Sequence, residues 1–317
     1  MINNIVSMRM VTAALEKTRI AVAMSTYNGE KYITEQIDSI LSQSLPETAE
    51  VTLYVRDDGS TDKSCAILKE YESRNRLIFS KGNNIGVCSS FLSLLKSIPL
   101  EYDYVALCDQ DDVWHKDKLS RAISVLSSTN QSIPQLYCSE YIFCDANLNP
   151  IGKSNLNKAG VSFVKLLFEN VCSGNTMVLN CSLHRLASSV CSDGAYCHDW
   201  WLALLASSQG EIHFDRTFFS LDYRRIGTNA SPTGLGFIEL LRYRLSKFIK
   251  GNGLESIKDQ LQALLDATSE TISERNASIL RLYLSNRRFL KAFSVCRLRQ
   301  TIPSELALRI LFLLGKL

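Results

Sequence analysis

The sequence predicts an α/β fold, a mostly parallel sheet flanked by helices and followed by a C-terminal helical extension. Three observations predict it. Short apolar runs alternate with helical stripes over the first 145 residues. Acidic or Gly/Asn turns close the runs, and beyond about residue 236 only helical patterning remains. Strand–helix alternation of this kind requires crossover helices on both faces of a parallel sheet.

Ile20–Ser25 reads as the first strand, with the turn-like Asn28-Gly29 after it. Ile33, Ile37, Ile40 and Leu41 then recur on one helical face. Val51–Val55 is a second strand, broken by Asp57-Asp58-Gly59-Ser60, where Ser60 or Thr61 is expected to cap the next helix. Leu77–Ser80 is a third strand, followed by a Gly/Asn loop and a helix carrying Phe91, Leu94, Leu95 and Ile98. Tyr104–Cys108 is a fourth, closed by Asp109-Gln110-Asp111-Asp112. A helix with Leu119, Ala122, Ile123 and Leu126 and a strand at Leu136–Cys144 follow. Asn147–Gly160 reads as loop. Helices near Phe163–Phe168 and Asp199–Ser207 then mix with strands near Thr176–Leu179, Glu211–Phe214 and Phe218–Tyr223. Thr228–Gly236 has the composition of a linker, and helices are expected at 237–249, 254–270, 272–292 and 303–314.

At 317 residues, 46% apolar and 21% charged, the chain is an ordinary globular protein with room for a substantial core. A formal charge of +3 gives no reason to expect a nucleic-acid partner. Its distribution is uneven, since residues 237–317 hold 14 basic against 7 acidic residues. That segment is therefore +7 and the remainder −4, which points the tail toward an anionic surface such as a membrane. The ten cysteines show neither C-x-x-C pairs nor zinc spacing, and Cys108 and Cys138 sit in strand-like runs. Free thiols in a reducing compartment are expected. Met1–Glu16 lacks a secretory apolar core and no run is long enough to span a bilayer, so a cytoplasmic protein is expected, at most attached to a membrane face.

Ligands of parallel α/β sheets bind beyond the carboxyl ends of the strands. Two such ends are acidic. A turn or helix cap accounts for Asp57–Ser60, but a cap needs one carboxylate, and Asp109–Asp112 brings three that repel one another. A hard divalent cation relieves that repulsion, and one held by few carboxylates completes its shell with water and substrate phosphate. This points to a nucleoside diphosphate. Neither Gly-rich phosphate loop is present, so Arg224, Arg225 and Lys81 are candidate counter-charges. His198-Asp199-Trp200-Trp201 reads either as a helix N-terminus with core tryptophans or as a carboxylate base in an aromatic setting that suits a sugar ring.

These residues resemble glycosyltransferase family 2, inverting enzymes of GT-A fold, in particular the bacterial rhamnosyl- and hexosyltransferase branch of surface-polysaccharide synthesis. The matching stretches are AVAMSTYNGEK (21–31), RDDGSTD (56–62), NNIG (83–86), YVALCDQDDVW (104–114), GNTM (174–177), HDWWL (198–202) and YRRIGTN (223–229), in the family's order. The resemblance implies a GT-A domain over 19–230 between an N-terminal extension (1–18) and a basic helical region (231–317). It implies that Thr26, Tyr27, Asn28, Asp57 and Asp58 hold nucleobase and ribose, with Asp109 near the ribose. It further implies that Asp111 binds Mn²⁺ or Mg²⁺, that Asp199 is the catalytic base and that Trp200 shapes the acceptor site. Many relatives read Tyr-Arg-x-His in the last motif. Ile226 stands at the histidine position here, so either Arg224 or Arg225 supplies positive charge or the metal is held more loosely.

The function expected from the resemblance is transfer of a sugar from dTDP-rhamnose or a UDP-hexose to a saccharide acceptor. That acceptor would be lipid-linked, at the inner face of the cytoplasmic membrane, with peripheral contact through the C-terminal helices. Two rivals are a sugar-nucleotide nucleotidyltransferase, which would show a Gly-rich basic loop where Ser25-Thr26-Tyr27-Asn28 stands, and a non-catalytic glycan-binding relative.

Overall fold

The computed structural model describes residues 17–226 and 253–317. The expected linker 228–236 and helix 237–249 lie outside them, as do residues 1–16.

Among the described residues one nine-stranded sheet forms the centre. Its strands are β1 (Thr18–Thr26), β2 (Ala49–Asp57), β3 (Ile78–Lys81), β4 (Tyr104–Cys108), β5 (Val113–Trp114), β6 (Gln135–Cys144), β7 (Pro150–Lys153), β8 (Val178–Asn180) and β9 (Glu211–Arg224). The order is β3-β2-β1-β4-β8-β6-β9-β5, with β7 beside β6. β3, β2, β1 and β4 are parallel neighbours, β8 runs opposite to β4 and β6, and β9 is parallel to β6. β5 and β7 are antiparallel to their partners. Six strands therefore share one direction in a mixed sheet.

The period-2 alternation of β1 sorts its residues between two cores. Ile20, Val22 and Met24 pack with α1 (Ile33–Leu41), α2 (Ser64–Ser73) and α4 (Lys118–Ser127). Ala21 and Ala23 face the other way, toward α3 (Val87–Ser97), α5 (Phe163–Leu166), α6 (Cys181–Ser189) and α7 (His198–Gln209). α7 is buried continuously from Trp200 to Ala206, and a helix apolar all round is a core helix. The C-terminal helices α8 (Gly253–Ala267), α9 (Glu274–Leu284), α10 (Arg288–Ala292) and α11 (Ile302–Leu313) extend this second core. Leu261, Leu264, Leu280, Leu308 and Phe312 all join it. Phe312 meets Phe168 edge-on at 5.3 Å, and truncating such a ring costs about 3–5 kcal/mol.

Several local expectations are corrected. Ser60 and Thr61 do not cap α2, which begins at Ser64, whose N–H donates to Asp62 Oδ1 (2.9 Å). The two strands expected at 211–214 and 218–223 are one, because β9 itself bulges at residues 216–218 and resumes pairing with β6 at Phe219. The expected loop 147–160 contains β7, an edge strand exposed at all four residues and so without a burial pattern. α6 has no counterpart in the sequence reading. It is polar, and its signal is the Asn180 cap, whose side chain accepts the Leu183 N–H. The helix expected over 272–292 breaks at residues 285–287 into α9 and α10. All ten cysteines are free, with Cys108, Cys138, Cys144 and Cys172 buried.

Candidate active site

Strand register brings the functional segments together. Thr26 pairs with Asp57, Asp57 with Lys81, and Met24 with Cys108, so the loops after β1, β2 and β4 emerge side by side.

The first two loops bind each other reciprocally. The N–H groups of Asn28, Gly29 and Glu30 donate to Ser60 Oγ (2.8 Å), Ser64 Oγ (2.8 Å) and Asp62 Oδ2 (3.0 Å). In return the N–H groups of Thr61 and Lys63 donate to Asn28 Oδ1 (2.9 Å) and Glu30 Oε2 (2.8 Å). Backbone groups that a turn would leave orphaned are thus paired, at about 0.5–1.5 kcal/mol net each. Gln110, the variable residue of D-x-D-D, fastens this clamp to β4. Its Oε1 accepts from Thr26 Oγ1 (2.5 Å) and the Tyr27 N–H (2.9 Å), and its Nε2 donates to the Tyr27 carbonyl (3.1 Å). Tyr27 keeps its ring 46% exposed above the clamp, a face on which a planar base can stack.

Asp57 and Asp58 are both buried. Asp57 Oδ1 accepts the N–H of Ser60 (2.9 Å) and Gly59 (3.2 Å), while its Oδ2 is buried with no partner among the described residues. Gly59 adopts φ +88°, and a Cβ there would lie 3.0 Å from the Asn84 nitrogen. Asp58 accepts from Arg56 (2.6 Å) and from the N–H groups of Ile85 and Gly86 (2.9 Å each). It therefore fixes the NNIG loop and the N-terminus of α3.

The end of β4 is built differently. Asp109 and Asp111 are half-buried, and their carboxylates receive no hydrogen bond from another side chain among the described residues. Burial first, then the charges of Asp111 and Asp199, push the Asp109 carboxyl up to about 7. Burial also raises Asp111, against which the Arg224 charge works. Asp112 is fully buried and held well above its usual range by burial and by both neighbours, although it accepts from Asn175 Nδ2 (2.6 Å). Lys118 is the counter-charge beneath. It is buried, donates to the Asn175 carbonyl and lies 3.9 Å over the Trp114 ring, and burial pushes its ammonium down to about 7.

Asp199 opens α7, half-exposed, in the first turn where the helix dipole favours an anion. His198 beside it is buried and stacked on Phe91 at 4.1 Å, with neither ring nitrogen partnered among the described residues. Burial keeps that imidazole below its usual proton affinity. Gly174 lets the GNTM segment reach this point, because a Cβ there would lie 2.9 Å from His198 Nε2 and 3.2 Å from Asp199 Cβ. Asp199 thus lies near enough to the β4 cluster for its charge to act on Asp109.

Of the residues expected at the site, Thr26, Tyr27, Asn28, Asp57, Asp58, Asp109, Asp111 and Asp199 come together at this sheet end. Trp200 is 8% exposed, its indole N–H donating to the Leu166 carbonyl (2.5 Å), so its body belongs to the wall behind Asp199. Arg224 is 2% exposed. Its guanidinium donates to the carbonyls of Asp111 (3.0 Å) and Ala146 (2.7 Å) and to Glu35, and lies 4.4 Å over the Tyr32 ring. It braces the Asp111 turn from within. Ile226 is half-buried, and residues 227–229 of its motif lie outside the described residues. Gln110, Arg56, Asn175 and Lys118 were not legible beforehand. For Lys118 a signal existed, since a lysine opening a helix opposes the dipole and needs a local acid.

No three His, Cys, Asp or Glu side chains converge as a ready cation cage among the described residues. A cation bound mainly by diphosphate and water needs only one or two carboxylates, and the under-donated, mutually repelling Asp109 and Asp111 fit that demand.

A sequence model described as glycosyl transferase family 2 matches residues 21–172. The chain is 31% identical over 232 residues to a dTDP-rhamnosyl transferase, RfbG, of Shigella flexneri, covering 68% of this chain and 75% of that protein. It is 32% identical over 117 residues to the poly(ribitol-phosphate) β-N-acetylglucosaminyltransferase TarS of Staphylococcus aureus, covering 36% of this chain and 20% of that one. In fold it is similar to the solved TarS 1–349 in complex with UDP, with TM-score 0.57 and 19% identity over 88% of this chain and 75% of the other. The acidic strand ends, the GT-A arrangement and the extent of the RfbG match agree, and the chain belongs to glycosyl transferase family 2.

Proposed function

We propose that the protein is an inverting transferase that moves a sugar from a nucleoside-diphosphate sugar to a hydroxyl of a lipid-linked saccharide, in surface-polysaccharide synthesis at the inner membrane face. dTDP-rhamnose is the first donor to test, since RfbG is named for it, and UDP-hexoses are the second. The observation that carries the reading is the half-buried pair Asp109/Asp111, without a side-chain donor among the described residues, at the sheet end to which Gly174 and the start of α7 bring Asp199.

In this reading Tyr27 stacks on the base, and the clamp of Thr26, Asn28 and Asp57 shapes the nucleoside end while Asp58 holds its floor. Asp111 would hold Mn²⁺ or Mg²⁺, with Asp109 beside it toward the ribose, and the cation would neutralise charge on the departing diphosphate. Arg224 adds positive charge behind the Asp111 turn. Asp199 takes the acceptor proton as the hydroxyl oxygen attacks the anomeric carbon and the bond to the diphosphate oxygen breaks. Trp200 backs the acceptor side.

Purified protein incubated with Mn²⁺ and a panel of sugar nucleotides tests this. The expected result is acceptor-stimulated release of nucleoside diphosphate from one donor. Release of pyrophosphate from a sugar phosphate and a nucleoside triphosphate would make it a nucleotidyltransferase, and saccharide binding without turnover a non-catalytic relative.

A further inference from the structure

We propose that the outer face of α10 and α11 is a docking surface for an anionic lipid bilayer. This deepens the lipid-linked-acceptor reading by naming the surface, yet it stands on observations of its own. The two helices and the connection between them form one packed unit. Arg309 of α11 donates to the carbonyls of Ala292 (2.7 Å) and Ser294 (2.5 Å), and Lys291 of α10 donates to the Leu317 carbonyl (3.0 Å).

α11 carries two apolar stripes. Leu308 and Phe312 point into the core. Ile302, Leu306, Ile310 and Leu313, spaced by four, four and three residues, share the other side and are 67, 60, 56 and 39% exposed. Phe289 and Phe293, on and just after α10 in the same packed unit, are 72 and 73% exposed. An exposed apolar stripe of this kind, with further exposed rings on the same unit, marks contact with another body.

The rim identifies that body. Arg287, Arg288, Arg297 and Lys316 are all exposed. The one acid between residues 286 and 317 is Glu305. Its carboxylate is occupied by Arg309 (2.7 Å) and by the N–H groups of Leu298 and Arg299 (2.8 Å each). Aromatic and aliphatic side chains inside a cationic rim match the acyl–headgroup boundary of an anionic leaflet. A two-fold pairing of two copies through this face would set cationic rim against cationic rim. Among the described residues no helix is long and apolar enough to cross a membrane, so the contact is with its surface.

The test is co-sedimentation of the full chain with phosphatidylglycerol–phosphatidylcholine vesicles and with pure phosphatidylcholine. Wild type, Phe293→Asp/Ile310→Asp and Arg287→Glu/Arg288→Glu are compared, with melting temperature and sedimentation coefficient as controls. All four substituted side chains are exposed, so the fold should survive. Wild type is expected to bind the anionic vesicles only, less tightly in high salt, and each variant to lose about tenfold or more in partition. Equal partition of variants and wild type, or equal binding to neutral vesicles, overturns the proposal. So does absence of lipid binding together with a dimer that Phe293→Asp/Ile310→Asp dissociates, which would make the face an interface between copies. The readout needs no turnover, so it stands or fails apart from the transferase reading.

Discussion

At the end of β2 two carboxylates are met by donors, whereas at the end of β4 three are met chiefly by one another. Asp57 and Asp58 collect four backbone N–H groups and the Arg56 guanidinium. Asp109 and Asp111 collect no side-chain donor among the described residues; burial raises both, and like charge adds to the rise at Asp109. The same residue type at equivalent places in one sheet is architecture in the first case and an unfinished ligand set in the second. A carboxylate with its donors in place holds loops; one without them needs a cation or a proton.

The largest effect expected from this contrast lies across from β4. Asp199→Asn should reduce sugar transfer by about 10²–10⁴-fold, the usual worth of general-base assistance, with donor affinity nearly unchanged. Steady-state kinetics beside donor titration checks this, and a parallel loss of donor binding would move Asp199 to the donor side.

Next is the β2 end. Asp58→Ala leaves the mostly buried Arg56 guanidinium without its carboxylate and frees the NNIG loop, and breaking a buried ion pair costs about 3–5 kcal/mol. Asp111→Asn, which relieves repulsion, should leave the metal-free fold equally stable or more so. Denaturant unfolding of both variants checks the pair, and equal destabilisation would erase the distinction between the two ends.

The smallest effect is on pH dependence. Asp109 ordinarily loses its proton near 3.8 but keeps it to about 7 when folded. The unfolded chain therefore binds fewer protons between those values, and this group makes the metal-free fold less stable as pH rises through that window. Mn²⁺ with a nucleoside diphosphate binds the ionised form and offsets the loss. The rise in melting temperature on adding them should accordingly be larger at about pH 8 than at about pH 5. A rise independent of pH would separate Asp109 from the cation.

The order of strands and helices was legible because apolar periodicity reports burial: β1, β4, β6 and α7 are mostly buried, and β2 alternates. β7 and α6 were not, since an exposed edge strand and a polar helix leave no such trace. At the site, Asp109, Asp111 and Asp199 stood out as charges in unusual company. The sequence did not reveal that Asp58 is turned inward to Arg56 and the α3 N-terminus, or that Gln110 bolts the Tyr27 loop to β4. Apart from the Arg56 contact two residues away, those facts depend on contacts between segments 27 to 84 residues apart, which no local pattern encodes.

The central claim is that the β4 end completes its coordination with a divalent cation and the donor's diphosphate. The most direct measurement is nucleoside diphosphate release by wild type and Asp111→Asn with the accepted sugar nucleotide, in Mn²⁺ and in excess chelator. The account predicts turnover for wild type in Mn²⁺ alone, and none for Asp111→Asn in either condition although the variant remains folded. Full wild-type activity in chelator, or undiminished activity of Asp111→Asn, would contradict it.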